Sequence, residues 1–311
     1  MQLLSEIDEA QIKDLVARDE FFWLDLTTPP EEHIDQLGKL LSLHPMALED
    51  MREPDQRPKL DRYGEWVLLV FYGARSDEAA RPQLIEVECI ISGGFIVTVH
   101  REECSELVAL RENFERRPPE HEQFVVYRVL DTLTDSFFPV LAAIDDEIDD
   151  LENDVIEQPT DEQLQRLFQL KRDLVLMRKV ITPQRDLFAR AGDDIIELPG
   201  LEPASRDYFR DVYDHLIRIS DLIDSYRDLL TGAMDVYLST ISNRLNVVMK
   251  QLTVIATIFL PLTFVTGFFG QNFAYLVKHI NTGSDFLYYG IGGLAVPIVA
   301  LVVYFRRQGF F

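Results

Sequence analysis

Two stretches toward the C-terminal side of the chain carry no charged residue: the 18 residues Leu252–Phe269 and the 20 residues Phe286–Phe305. Each approaches the roughly 20 apolar residues needed to cross a ~30 Å hydrocarbon core, and the pattern predicts two transmembrane helices. One such run would also fit a buried helix of a soluble protein; a second so soon afterwards argues for a membrane hairpin. Arg244 and Lys250 flank the start of the first segment, and Arg306 and Arg307 the end of the second. By the positive-inside rule both ends are expected in the cytoplasm. The loop between them then faces outward, with Lys278, Asp285 and His279 as its titratable groups and Tyr275, Tyr288 and Tyr289 suited to the headgroup level. Two helices cannot enclose an aqueous path, so transport would require an oligomer.

The first apolar segment continues a helical pattern that begins far upstream. Val212, Leu216, Ile219, Ile223, Tyr226 and Leu230 recur at spacings of three and four, as on a helix with one packed face. No proline falls between Pro203 and Pro261. A helix from Ser205 to Phe269 would be roughly 98 Å long at 1.5 Å per residue, with Gly232 and Pro261 as places where it could bend.

Before it, Phe124 to Ala191 reads as two antiparallel helices broken at Gln158 and Pro159, with Thr160 as N-cap and Asp161 and Glu162 in the first turn. The run Asp145, Asp146, Glu147, Asp149, Asp150, Glu152, Asp154 and Glu157 reads as a solvated helix face, since no turn-forming glycine supports a calcium loop. Phe21–Leu26, Glu65–Tyr72, Gln83–Ser92 and Phe95–Val99 are rich in aromatic and β-branched residues and read as strands, the last two joined by a Ser92-Gly93-Gly94 turn. Pro30–Leu43 and Ser105–Arg116 read as helices. The expected organisation is a cytoplasmic α+β domain over 1–120, antiparallel stalk helices over 121–204, and a long helix over 205–273 that becomes the first transmembrane helix. An outer loop (274–285), the second transmembrane helix (286–305) and a basic tail (306–311) follow.

Charge sharpens this division. Up to Met249 the chain holds 26 Lys and Arg against 52 Asp and Glu, whereas from Lys250 onward the net charge is +3. So acidic a body argues against a nucleic-acid partner, which needs a cationic surface, and it suits a protein that handles cations. Cys89 and Cys104 have neither zinc-site spacing nor disulfide density and read as core thiols. Met1–Asp8 contains two acids and no basic stretch, so it is not read as a signal peptide. No phosphate loop, nucleophile elbow or zinc-binding histidine pair occurs, and His100 with Cys104 supplies too few ligands for a metal site. An enzyme is not expected, nor an organic cofactor.

The first apolar segment ends in Pro261-Leu262-Thr263-Phe264-Val265-Thr266-Gly267-Phe268-Phe269-Gly270-Gln271-Asn272-Phe273. Here the chain resembles the CorA magnesium channel family, whose hallmark at this position is Gly-Met-Asn after a similar Pro-Leu-Thr-Phe stretch. The resemblance continues through Asp235-Val236-Tyr237-Leu238, Tyr208-Phe209-Arg210-Asp211-Val212-Tyr213-Asp214-His215, Ile144-Asp145-Asp146-Glu147-Ile148-Asp149, His44-Pro45-Met46-Ala47-Leu48-Glu49-Asp50 and Gln56-Arg57-Pro58-Lys59. It covers nearly the whole chain. It implies a homopentameric funnel in the inner membrane, with an N-terminal αβα domain and a pore lined by the first transmembrane helix of each subunit.

Carried over by position, the resemblance makes Gly270, Gln271 and Asn272 the selectivity filter, with Asn272 and the Gly270 carbonyl forming its outer ring. Thr263 and Asn246 become polar rings deeper in, Met249, Leu252 and Leu260 hydrophobic constrictions, and Asp235 the cytoplasmic mouth. It also implies regulatory Mg²⁺ between subunits, at Asp50 with Asp211 and at Glu49 with Asp131. Bound Mg²⁺ would neutralise facing carboxylates and hold a closed state. Magnesium dehydrates reluctantly, so rings of neutral oxygens suit its water shell.

The chain departs from the pattern at Gln271, which replaces the methionine, at Ala274, where many members carry a glutamate, and in an outer loop with Lys278 and His279 in place of an acidic cluster. Three functions stay open: a channel for Mg²⁺ that also passes Co²⁺ or Ni²⁺, a transporter of another divalent ion such as Zn²⁺, and a non-conducting membrane-anchored metal sensor.

Overall fold

Alternating aliphatic residues and a small number of tight turns assemble the N-terminal part of the chain into a sheet covered on both faces. The computed structural model describes residues 1–311 apart from 78–80, 120, 122–123, 199–205, 272–273, 280–281 and 309–311, and omits the side chains of 191–193, 196 and 275–277. The chain divides into two compact units, Met1–Met234 and Asp235–Phe311.

In the first unit β1 (Gln2–Leu4), β2 (Phe22–Thr27), β3 (Lys59–Tyr63), β4 (Trp66–Ser76), β5 (Pro82–Ser92) and β6 (Phe95–His100) form a mixed sheet in the order β1-β2-β6-β5-β4-β3. β1, β2 and β6 run parallel, while β6, β5, β4 and β3 pair antiparallel. The turn expected between β5 and β6 is present, and the Ser92 hydroxyl closes it by accepting from the amides of Gly94 and Phe95 at 3.1 and 3.2 Å.

Period-two alternation divides the strand side chains between two cores. Phe22, Leu24, Leu26, Leu68, Ile90, Val97 and Val99 pack against α1 (Glu9–Ala17), α2 (Glu31–Leu40) and α3 (Pro45–Asp50) through Ile12, Leu15, Ile34, Leu37 and Ala47. On the opposite face Trp23 meets Phe114 of α4 (Ser105–Arg116), and Phe71 meets Phe188 of α7 (Asp161–Ile196). The αβα arrangement is therefore observed. Sequence patterning missed β1, α1 and β3, and the helix expected over 30–43 ends at Leu40, with α3 forming separately after it. β1 has three residues and β3 is largely polar, so neither carries a strong hydrophobic alternation.

The segment expected as two helices contains three: α5 (Phe124–Asp135), α6 (Phe137–Glu157) and α7. Pro139 has no N–H to give the Asp135 carbonyl, which favours an interruption at Ser136. The freed Ser136 hydroxyl accepts from the Ala74 amide of β4 at 2.8 Å and donates to the Leu133 carbonyl at 2.6 Å. Gly73 lies under this junction, where a Cβ would come within 3.1 Å of Leu133 Cδ2 and Ser136 Oγ. The α6–α7 break falls where expected, and Thr160 caps α7 reciprocally with Gln163. The acidic run forms the solvated side of α6, while Ile144, Ile148, Leu151 and Val155 face inward.

The long helix α8 (Arg206–Phe269) is continuous through Gly232 and Pro261. Val212, Leu216, Ile219, Ile223, Tyr226 and Leu230 are all buried, as their spacing predicts. Cys89 and Cys104 are free and buried, and burial raises both thiols, Cys104 to about 12. His100 belongs to a structural network: its Nε2 lies 3.1 Å from Asp25 Oδ1, to which the Thr98 hydroxyl donates at 2.6 Å.

Glu88 is buried on β5 beside Glu86, and burial, then the Glu86 charge, pushes its carboxyl up to about 8. The folded protein thus holds a proton that the unfolded chain releases near pH 4.5, and stability is lost as pH rises from there through 8. Glu88→Gln is expected to flatten that profile, gaining on the order of 4 kcal/mol at pH 8 and little at pH 4, at 1.36 kcal/mol per unit. Chemical denaturation midpoints across pH 4–9 would check it; parallel profiles for variant and wild type would refute the assignment.

In the second unit the remainder of α8 is followed by α9 (Ala274–His279), α10 (Gly283–Asp285), a π-helical stretch over Phe286–Gly292 and α11 (Gly293–Arg307). The expected outer loop is thus partly helical, and the second apolar helix starts earlier, at Gly283. Thr282 sets that start through a capping box with Asp285. Arg206–Phe269 and Gly283–Arg307 are both long and apolar enough to cross a membrane. Within the second unit most of their apolar side chains lie bare, with Phe264 74% and Val296 69% exposed, a surface that water would not tolerate uncovered.

Candidate functional site

Two helices of the first unit each carry polar residues four apart, and these rows converge. α5 supplies Tyr127, Asp131 and Asp135; α8 supplies Asp211 and His215. Residues at i and i+4 share a helix face. Their alignment follows from the apolar neighbours Val129, Leu130, Leu133, Val212 and Leu216, which are buried and so fix both helix rotations.

His215 stands between the carboxylates. Its Nδ1 lies 2.8 Å from Asp135 Oδ1 and 3.7 Å from Asp131 Oδ1, and its Nε2 lies 3.9 Å from Asp211 Oδ1. The Tyr127 hydroxyl donates to Asp211 Oδ2 at 3.0 Å. Burial, then the charges and hydrogen bond of Asp131 and Asp211, hold that phenol protonated by raising it. Arg128 Nη1 donates to Asp131 Oδ2 at 2.8 Å, whereas Asp131 Oδ1 and His215 Nδ1 are buried without an aligned hydrogen-bond partner. Burial, followed by the Asp135 charge, raises the Asp131 carboxyl against the pull of Arg128 and His215.

Such a cluster fits a divalent cation. Ligand atoms of Asp131, Asp135 and His215 all lie within 4.8 Å of one another. A cation there would satisfy the orphaned Asp131 oxygen and relieve carboxylate repulsion. Carboxylates suit Mg²⁺ with part of its water shell, while an imidazole also favours Co²⁺, Ni²⁺ or Zn²⁺.

Of the four sequence-predicted regulatory residues, the structure brings Asp131 and Asp211 together. Glu49 and Asp50 sit apart on α3, where Asp50 Oδ2 pairs with Lys59 Nζ at 2.7 Å and Glu49 is exposed. Among the described residues, no hydrogen bond or ion pair joins either to Asp131 or Asp211. Asp135, His215 and Tyr127 were missed as members of the cluster. Their signal was the four-residue spacing on two amphipathic helices, although spacing does not reveal that the helices face each other.

The second unit holds the sequence-predicted pore residues on α8. At about 100° per residue, Asp235, Asn246, Met249, Leu252, Leu260 and Thr263 share a sector of about 120°, since 235 and 246, 249 and 260, and 252 and 263 are each about three turns apart. All six are exposed in the single chain. The Thr263 hydroxyl donates its proton to the Phe259 carbonyl at 2.8 Å, leaving its lone pairs free to accept. Gly270 closes the helix end through a 2.8 Å bond from its amide to the Thr266 carbonyl, and a Cβ there would approach that oxygen to 3.0 Å. Gln271 is exposed, and its amide donates to the Phe268 carbonyl at 3.3 Å. Asn272 lies outside the described residues.

The family model described as "CorA-like Mg2+ transporter protein" matches residues 18–307. The chain belongs to this family. CorA-like proteins are transporters, which agrees with the absence of enzyme motifs in the sequence. The chain is 36% identical over 293 residues to the cobalt/magnesium transport protein CorA of Thermotoga maritima, covering 92% of this chain and 82% of that protein. It is 28% identical over 283 residues to the zinc transport protein ZntB of Yersinia enterocolitica, covering 90% and 84%. The solved CorA magnesium transporter of Methanocaldococcus jannaschii shares the fold, with a TM-score of 0.81, 24% identity, and coverage of 93% of this chain and 91% of that one.

Proposed function

We propose that this CorA-family protein is a homopentameric divalent-cation channel for Mg²⁺ uptake, also passing Co²⁺ and Ni²⁺, with both termini in the cytoplasm and gating by intracellular Mg²⁺. The observation that carries this reading is the single face of α8 shared by Asp235, Asn246, Met249, Leu252, Leu260 and Thr263. Around a fivefold axis these residues would stack as rings. A hydrated ion presents outward-pointing water hydrogens, and the acceptor lone pairs of Thr263 suit them. Gly270, Gln271 and Asn272 would close the outer end as the filter. Met249, Leu252 and Leu260 would form an apolar constriction that conducts only when widened enough to stay wet.

In this proposal regulatory Mg²⁺ is held between subunits, at Asp211 with Asp50 and at Asp131 with Glu49 from the α3 of a neighbouring copy, with Asp135 and His215 beside Asp131. Loss of the ion returns mutual repulsion to the carboxylates and loosens the closed assembly.

A second reading, transport of Zn²⁺, is favoured by the imidazole of His215 in the donor set and by the zinc transport protein among the relatives. Uptake of Mg²⁺, Co²⁺ and Zn²⁺ into liposomes reconstituted with the purified protein, with and without a proton gradient, separates the two. The channel reading expects Mg²⁺ influx down its gradient without proton coupling. Zn²⁺ influx with Mg²⁺ excluded would replace it with the second reading, and a folded oligomer passing neither ion would leave the sensor.

A further inference from the structure

Asp50 ends α3 close to the start of β3, and the seven-residue segment 52–58 between Met51 and Lys59 is tied down from several sides. The Glu86 carboxylate accepts the amides of Asp55 and Gln56 at 2.6 and 3.0 Å, and the Tyr72 hydroxyl donates to the Gln56 carbonyl at 2.5 Å. The Gln56 side chain in turn donates to the carbonyls of Asp50 and Glu53 at 2.5 and 3.1 Å. These bonds deliver Lys59 to Asp50 in a set geometry: Nζ lies 2.7 Å from Asp50 Oδ2 and 3.6 Å from Asp61 Oδ2. The three side chains are partly covered, Asp50 most of all, at 20% exposure against 32% for Lys59 and 45% for Asp61. Burial works against the ammonium, but the hydrogen bond and charge of Asp50, with the charge of Asp61, more than offset it and raise Lys59. Lys59 and Asp61 are two apart on β3 and so share one face of that strand.

We propose that Lys59 is a tethered cation that occupies Asp50 in the metal-free protomer and swings to Asp61 when a divalent cation takes its place. The proposal rests on the reading of Asp50 as a regulatory ligand. A divalent ion reaching Asp50 must displace an ammonium already hydrogen-bonded there, so Lys59 raises the Mg²⁺ concentration at which the site fills. Asp61 lowers that cost, because the displaced ammonium finds a second carboxylate about an ångström further off instead of facing solvent alone. Competition between one fixed monovalent charge and a free divalent one places the response in a chosen concentration range without weakening the ligand itself.

Protection of the full-length oligomer from limited proteolysis, titrated with Mg²⁺, tests this. Lys59→Met is expected to lower the half-protecting Mg²⁺ concentration roughly two- to fivefold, the range of a partly exposed ion pair, and Lys59→Arg to stay near wild type. Asp61→Asn is expected to raise it, and to add nothing in the Lys59→Met background, because Asp61 acts through Lys59. An unchanged or raised midpoint in Lys59→Met, with Asp50→Asn still raising it, overturns the tethered-cation mechanism. An Asp61→Asn effect of equal size in both backgrounds removes the landing site and reduces Asp61 to background charge. A wild-type midpoint in Asp50→Asn overturns the regulatory reading of Asp50 itself.

Discussion

Asp131→Asn is expected to raise the thermal midpoint of the metal-free protein by a few degrees and to abolish the further rise that saturating Mg²⁺ or Co²⁺ produces in wild type. Asp131 is 3% exposed and shares its surroundings with Asp135 and Asp211, so its ionised form is costly when no cation is present. Its folded pKa is raised, mainly by burial and then by Asp135. Stability present below the unfolded value is therefore lost as pH rises through the folded one. The gain from asparagine should accordingly appear at neutral pH and vanish in acid. An asparagine oxygen can still accept from Arg128, which makes the substitution gentle on packing. A ligand held only by the folded state adds about 2.7 kcal/mol at one hundred times its dissociation constant, and that increment should disappear. Thermal melts with chelator and with each metal decide the matter; a wild-type metal shift in the variant would exclude Asp131 as a ligand.

Asn272→Ala is expected to reduce Mg²⁺ influx into liposomes at least tenfold while leaving the oligomer and its metal-dependent protease protection intact. In the proposed filter Asn272 of each subunit contributes a carboxamide that hydrogen-bonds the ion's water shell, and a methyl group offers nothing in its place. Five such losses at about 1 kcal/mol each could weaken ion capture by several orders of magnitude, so tenfold is a lower limit. In the proposed regulation, protection depends on the first unit, where the candidate metal centre lies, and should not follow flux. Equal influx in variant and wild type would remove Asn272 from the filter.

Much of the architecture was legible because it rests on periodicity. The buried stripe from Val212 to Leu230 matches its spacing, and the strands around Val67–Tyr72 and Val87–Ile91 carry enough β-branched and aromatic residues to announce themselves. Where periodicity was weak the reading failed: β1 is too short, β3 is polar, and the α5–α6 break depends on one missing amide at Pro139 and one serine hydroxyl reaching β4.

The candidate metal centre was half legible. Asp131 and Asp211 were singled out through family resemblance, each with a partner on another subunit. Their meeting within one chain, with His215 between them, depends on how α5 and α8 pack, and residues more than seventy positions apart carry no local trace of that.

By itself the sequence determined the two helices long and apolar enough to cross a membrane, the length of the helix that carries the first of them, and the family, since these follow from uncharged runs, three-and-four spacing and contiguous motifs. Tertiary structure alone decided which carboxylates share a site, which remain unpaired, and which are already occupied by a lysine, as Asp50 is by Lys59. Those facts are distances between elements remote in the chain, set by core packing and backbone hydrogen bonds rather than by the charged residues themselves.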